Sequence, residues 1–170
     1  MNDVLPPGLP VVEVVPATIA DLTALATDRQ AFAQRMGSPT PGGWPEFPEA
    51  LAFTIDRLST HPQESEWWMH FFLVNGLLVG SGGFVGRPRK GEAEIGYEIA
   101  PGYRRRHYGT GAAAALVEKA FRFGEVKSVI AHTMAQAGPA TRVLERLGFV
   151  QEAEVPDPAA GTLWRWRLKR

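Results

Sequence analysis

The stretch Glu94–Phe121, EIGYEIAPGYRRRHYGTGAAAALVEKAF, decides how the rest of this 170-residue chain is read. It opens as a strand, because Glu94 and Glu98 alternate with Ile95, Tyr97 and Ile99 and so share one face. It closes as a helix, with Leu116, Ala120 and, just beyond, Phe123 on one side and Gly124 as the residue that stops it. Between them lies PGYRRRHYGTG. A loop rich in Arg and Gly that runs straight into a helix presents unpaired N–H groups, the positive end of the helix dipole and guanidinium forks to one anion. The junction therefore reads as a pyrophosphate cradle. Three adjacent arginines, Arg104, Arg105 and Arg106, are commonly no more than a solvated charge run. Their place against a glycine-bearing helix start favours phosphate contact by at least one of them.

Upstream, Val11–Val15 is an apolar, β-branched first strand between Pro10 and Pro16, and Thr18 caps a helix through Ile19, Leu22, Leu25 and Ala26. The Pro/Gly-rich run Met36–Pro48 excludes regular structure, and a helical pattern resumes over Glu49–Leu58. Trp67–Val74 and the arm beginning at Leu77 flank the turn pair Asn75-Gly76, which predicts a hairpin. The glycines Gly80, Gly82 and Gly83 in the second arm signal a bulge or a close backbone approach. Downstream, Val126–Thr133 reads as a strand, Pro139 starts a short helix that Gly148 ends, and Phe149–Val155 and Thr162–Leu168 read as two closing strands. The order β-α-α-β-β-β-α-β-α-β-β is an α/β (α+β) layout, and the length suits one domain over residues 1–170.

Composition narrows the partners. Lys plus Arg and Asp plus Glu are 18 each, so no global field draws the chain to nucleic acid or an anionic membrane. The chain has no Cys, which removes thiol nucleophiles and thiolate metal sites. Four scattered His offer no ligand spacing, and no metal is expected. The absence of a basic, apolar leader and of any long apolar run points to a cytoplasmic protein. The C-terminal TLWRWRLKR reads as a half-buried strand with a basic outer face rather than a stacking platform for single-stranded nucleic acid.

PGYRRRHYGTG also resembles the Q/R-x-x-G-x-G/A signature of the GNAT superfamily of N-acetyltransferases, with Arg104 leading and Gly109 as the final small residue. In that register His107 stands where the first glycine usually lies; a second register, Arg106-x-x-Gly109-x-Gly111, fits formally. The first is preferred because EIGYEIAPGY and the following helix then fall at the spacing of the branch that includes ribosomal-protein N-terminal acetyltransferases. Downstream, GPATRVLERLGFVQEAEV is similar to the superfamily's second block, matching at Val143, Leu144, Glu145, Leu147, Gly148 and Phe149, while Ala137 and Ala140 replace the usual Asn and Ser. Leu144 stands where the family often has a tyrosine general acid.

The resemblance spans roughly Val12 to Leu168. It implies a mostly antiparallel sheet of about six to seven strands, splayed between the fourth and fifth by bulge and glycine chemistry, with about four flanking helices. It implies acetyl-CoA as co-substrate. Ile99, Ala100 and Pro101 would meet the pantetheine arm, and Arg104, Arg105, Arg106, His107, Tyr108, Gly109, Thr110 and Gly111 the diphosphate. The amine would attack the thioester directly, with Glu94, which the resemblance favours, or Glu98 as the proton acceptor, while each, and Glu98 the more so, also reads as a solvated or salt-bridged strand carboxylate. Tyr103, Tyr108 and His132 are substitutes for the missing acid by sequence proximity alone, and His132 reads equally as a hydrogen-bonded core or edge histidine. The Met36–Pro48 loop would line the acceptor pocket or be an ordinary surface loop. The acceptor implied by the resemblance would be a primary amine of a small molecule or a protein N-terminus. The alternative is a non-catalytic acyl-CoA-binding regulatory module. Homodimers are common among similar proteins.

Overall fold

The computed structural model describes residues 5–170. Among these, β1 (Glu13–Pro16), α1 (Ile19–Thr27), α2 (Arg29–Met36) and α3 (Glu49–Thr60) precede a meander of β2 (Met69–Val74), β3 (Leu77–Phe84) and β4 (Glu92–Ile99). Then come α4 (Tyr108–Phe121), β5 (Ser128–Met134), α5 (Pro139–Arg146), β6 (Val150–Asp157) and β7 (Gly161–Lys169), with 3-10 turns at Pro62–Trp67 and Pro101–Tyr103. One helix is added to the expected order. Thr18 caps α1 through a reciprocal box with Asp21, and Asp28 then restarts the helix by accepting the amide of Ala31 at 3.1 Å. Only Phe32 of α2 is buried, so the segment shows no apolar stripe in its sequence.

The seven strands form one sheet in the order β1-β2-β3-β4-β5-β7-β6. Every neighbouring pair is antiparallel except β4 and β5, which run parallel and pair over only three residues, Glu92↔Ser128 to Glu94↔Ile130. Beyond that point β4 stays laddered to β3 as far as Ile99, and β5 stays laddered to β7 as far as Met134. Each strand follows the twist of its outer neighbour, and the two half-sheets diverge. The expected splay is present, but no register shift lies at it. The irregularities fall between Phe72 and Leu73 on β2 and between Gln151 and Ala153 on β6.

Two cores cover the sheet. On one face α4 and α5 lay Ala112, Leu116, Ala120 and Leu144 on Ala93, Ile95, Val129 and Trp166. On the other, α1 to α3 pack Leu22, Phe32, Leu51 and Leu58 over Phe71 and Leu78. The glycines of β3 permit a close approach: a Cβ on Gly80 would sit 2.2 Å from the Glu98 carbonyl, and one on Gly82 2.3 Å from that of Gly96. Arg165 and Arg167 of β7, the expected basic face, are paired with Glu92 and Glu152.

His70 on β2 is fully buried, with Nδ1 against the Trp68 carbonyl at 2.9 Å and Nε2 against the Lys119 ammonium at 2.8 Å. This pair of contacts requires a neutral ring, protonated at Nδ1 and accepting at Nε2. Burial, and then the Lys119 charge, push its pKa down to about 4. Between that value and the ordinary histidine range the unfolded chain binds the extra proton, so stability must fall as pH falls through this window. Denaturant unfolding at pH 7 and pH 5 is expected to show a loss on the order of 2 kcal/mol, reduced in His70→Gln.

Candidate active site

The fork between β4 and β5 exposes main-chain groups along one edge. On β4, Glu94 accepts the amide of Val85 and Ala100 donates to the Val79 carbonyl at 2.9 Å, so the even-numbered residues address β3. Alternation leaves the main-chain groups of Tyr97 and Ile99 facing the gap. Of the segment expected to meet a pantetheine arm, Ile99 thus presents its edge, whereas the Ala100 amide is committed on the opposite side. The Ile99 carbonyl takes the Arg104 Nε at 3.0 Å, which folds that side chain back over the strand end. Pro101 begins the turn that leads away from the edge.

The cradle lies at the mouth of this fork. None of the amides from Arg105 to Thr110 has an acceptor among the described residues, and all lie in or just before the first turn of α4. Arg105 and His107 are both left-handed, at φ 64° and 61°. His107, where the motif register calls for its first glycine, thus holds a backbone conformation that glycine adopts without steric cost. The His107 ring meets Arg146 of α5 at 3.0 Å, bringing to the cradle a cation that the loop motif does not contain. Arg106 lies over the Tyr103 ring, and the Tyr108 side chain packs on the α4 core. Gly109 faces Ile99 and Val143 at ordinary contact distance. Gly111 is turned elsewhere: its amide donates to the His107 carbonyl at 3.0 Å, and a Cβ there would lie 2.5 Å from the Pro10 carbonyl. Its glycine is a packing requirement of the N-terminal segment, which leaves the free amides at Arg105–Thr110.

On the far face of β4, the 36–48 loop is tied down over the sheet. Arg29 donates to the carbonyls of Trp44 and Pro41 at 3.0 and 2.7 Å, buried Trp44 donates to Ser81 Oγ at 3.0 Å, and Ser38 Oγ accepts the Leu78 amide at 2.9 Å. Beside it opens a cavity of about 430 Å³ that Pro45 and Phe47 of the loop help to line, with Glu98 in its wall. Both Glu98 oxygens accept the Glu46 amide at 3.2 Å. Burial raises the Glu98 pKa, outweighing the lowering by that hydrogen bond.

Glu94, on the same face, stands where the β4–β5 ladder ends. Its Oε1 lies 2.8 Å from Nδ1 of His132, so the two side chains bridge the fork at its closed end. The separation in sequence is 38 residues, and only the parallel register of β4 and β5 brings them together.

A loop of free amides at a helix start, set at the mouth of a forked sheet, is the arrangement expected of an acyl-CoA site. Residues 12–150 match the acetyltransferase (GNAT) domain family. The chain belongs to the GNAT acetyltransferases. Its similarity extends to an uncharacterized N-acetyltransferase, YjdG, of Bacillus subtilis (strain 168), at 30% identity over 128 residues, 72% of this chain and 76% of the relative. Among solved structures, Mycobacterium smegmatis RimJ in complex with CoA-disulfide superposes with a TM-score of 0.67 at 19% identity, covering 94% of this chain and 82% of that one. RimL, a ribosomal L7/L12 α-N-protein acetyltransferase in complex with coenzyme A, gives 0.69 at 15% identity, covering 94% of each chain. These two share the fold of this GNAT chain.

The left-handed backbone at His107 gives a direct test. His107→Val is expected to lower stability by about 1–2 kcal/mol, because a β-branched residue is poorly accommodated there, whereas His107→Gly should shift it by less than about 1 kcal/mol. Urea denaturation of the two variants checks the sign and the order.

Proposed function

We propose that this chain transfers an acetyl or short acyl group from acyl-CoA to a primary amine by direct attack. The observation that carries the reading is the run of unpaired amides from Arg105 to Thr110 at the open end of the β4–β5 fork. These donors suit a diphosphate, with the α4 dipole, exposed Arg105 and Arg106, and Arg146 adding positive potential. Tyr97 and Ile99 supply strand-edge groups for an extended amide-bearing arm, in the manner of an added strand. Acetyl-CoA, when bound, supplies the acyl group as an activated thioester.

The protein's own side chains then handle the amine. Glu98, set in the cavity wall with a raised pKa, attracts the ammonium and accepts its proton, directly or through water, so that a neutral amine attacks. Glu94, held by His132 at the closed end of the fork, is the second proton-accepting group. Main-chain N–H groups on the β4 edge stabilise the developing oxyanion.

Thiol release from acetyl-CoA in the presence of an amine panel tests this reading. Release is expected to require an amine and to fall by a factor of about 10²–10⁴ in Glu98→Gln. In the native protein the rate should decline as pH drops and Glu98 takes up its proton, at a higher pH than an unburied glutamate would, since the base must be ionised. Gly109→Leu, where a Cβ makes only ordinary contact with Ile99 and Val143, should weaken CoA binding at least about tenfold by filling the space between the helix start and the β4 edge, with urea denaturation of the variant checking that the fold persists. CoA binding with no release across the panel would instead mark a non-catalytic acyl-CoA-binding module.

A further inference from the structure

The cavity beside Glu98 has a chemical character of its own. Phe47, Phe53 and Val85 stand at its rim with 58%, 60% and 59% of their surface exposed, a concentration of large apolar side chains in water around one opening. Behind them is Trp68, in edge contact with the Phe53 ring at 5.5 Å. Trp68 is fixed from the rear: its Nε1 donates to Glu64 at 3.0 Å, Glu64 is locked to Arg57 at 2.9 Å, and the Arg57 guanidinium lies over the indole at 5.8 Å. The hydrogen bonds from Arg57, and then from Trp68, hold the Glu64 carboxyl down at about 2, so this support stays charged throughout the working pH range. An aromatic wall held this way is preorganised for a ligand rather than collapsed on itself.

The floor is equally specific. Gly96 of β4 faces Gly83 of β3 across the ladder, and a Cβ built on Gly96 meets nothing within 4 Å. Space over the sheet is thus left open between Glu94 and Glu98, on the stretch of β4 that has parted from β5. Glu98 is the one ionisable carboxylate among the cavity's lining residues, and no Lys or Arg lines it.

From this cavity we infer that the acceptor is a small primary amine carrying one aromatic or branched apolar group and a single positive charge, its ammonium at Glu98 and its apolar body between Phe53 and Trp68 over Gly96. This rests on the acyl-transfer reading and narrows it. Glu98 is left to neutralise one ammonium, because the neighbouring carboxylates are engaged, Glu46 with Arg104 at 3.5 Å and Glu94 with His132 at 2.8 Å; the further charges of a polyamine would lie along the apolar Phe47, Phe53 and Val85 with no free carboxylate to meet them. An aromatic ring gains from burial against the apolar walls, and the cavity's volume lies in the range of small-molecule sites.

The test is isothermal titration of the protein, with and without saturating CoA, against phenethylamine, ethylamine and spermidine, and of the Gly96→Leu and Phe53→Ala variants against phenethylamine. Phenethylamine is expected to bind at least tenfold more tightly than ethylamine or spermidine. Each variant should weaken phenethylamine at least fivefold and leave CoA affinity within twofold. Phe53 is exposed, so Phe53→Ala keeps the test valid should Gly96→Leu fail to fold. Spermidine or ethylamine binding as tightly as phenethylamine, no binding of phenethylamine with or without CoA, or unchanged binding by Phe53→Ala would overturn the inference. Failure of the native protein to bind CoA would instead sink the acyl-transfer reading, and is read in the same titrations.

Discussion

Three residues of parallel pairing, Glu92–Glu94 with Ser128–Ile130, join the two halves of this sheet, and the site exists because the pairing stops there. Had the ladder continued, the edge groups of Tyr97 and Ile99 would be consumed by β5, and the helix start at Arg105–Thr110 would face a closed surface. Strength at the junction comes from elsewhere. The ion-paired cluster of Glu92, Glu152, Arg165 and Arg167 spans β4, β7 and β6 over the paired end. The Glu94–His132 contact then straddles the point of divergence. A side-chain bridge replaces the backbone ladder at the last place where the strands are near enough to support one.

The fork also separates two chemistries by face and by edge. On the proposed acyl-CoA reading, anion recognition falls to backbone: free amides, a left-handed His107 and a helix dipole, with Arg146 arriving from α5. The cavity proposed for the acceptor is built from side chains of α3, the tethered 36–48 loop and Trp68 just before β2, laid over glycines that leave room above the sheet. Backbone recognition of an anion depends on where the N–H groups point rather than on the side chains beside them, so His at 107 leaves these amides free. The proposed acceptor wall depends instead on particular side chains, Phe47, Phe53, Trp68 and Glu98.

How much of this was legible in the sequence follows from the range of the interactions. The strand–loop–helix junction could be read because its signals are local: alternation in 94–99, Arg and Gly in the loop, an apolar helix behind. The hairpin at Asn75-Gly76 and the closing strands were likewise visible, and Trp166 and Leu168 turn inward while Arg165 and Arg167 face out. The second short helix was not, because its signal is a single capping aspartate, Asp28, and one buried phenylalanine. Gly111 satisfied a motif register formally, yet its neighbour is Pro10, a hundred residues away in the chain. His132, Arg146 and the cavity are products of long-range pairing; the parity of β5 hints at the face His132 takes, but nothing local names Glu94 as its partner.

On the acyl-CoA reading, a diphosphate and its extended arm are held by specific main-chain amides at an open fork. Amide-resolved NMR of the protein titrated with CoA tests it most directly. The amides of Arg105–Thr110 are expected to shift together with those of Tyr97 and Ile99, while Ala100 and Gly111, whose amides are already bonded internally, move least. Saturable CoA binding that leaves Arg105–Thr110 unperturbed, or no binding at all, would contradict it.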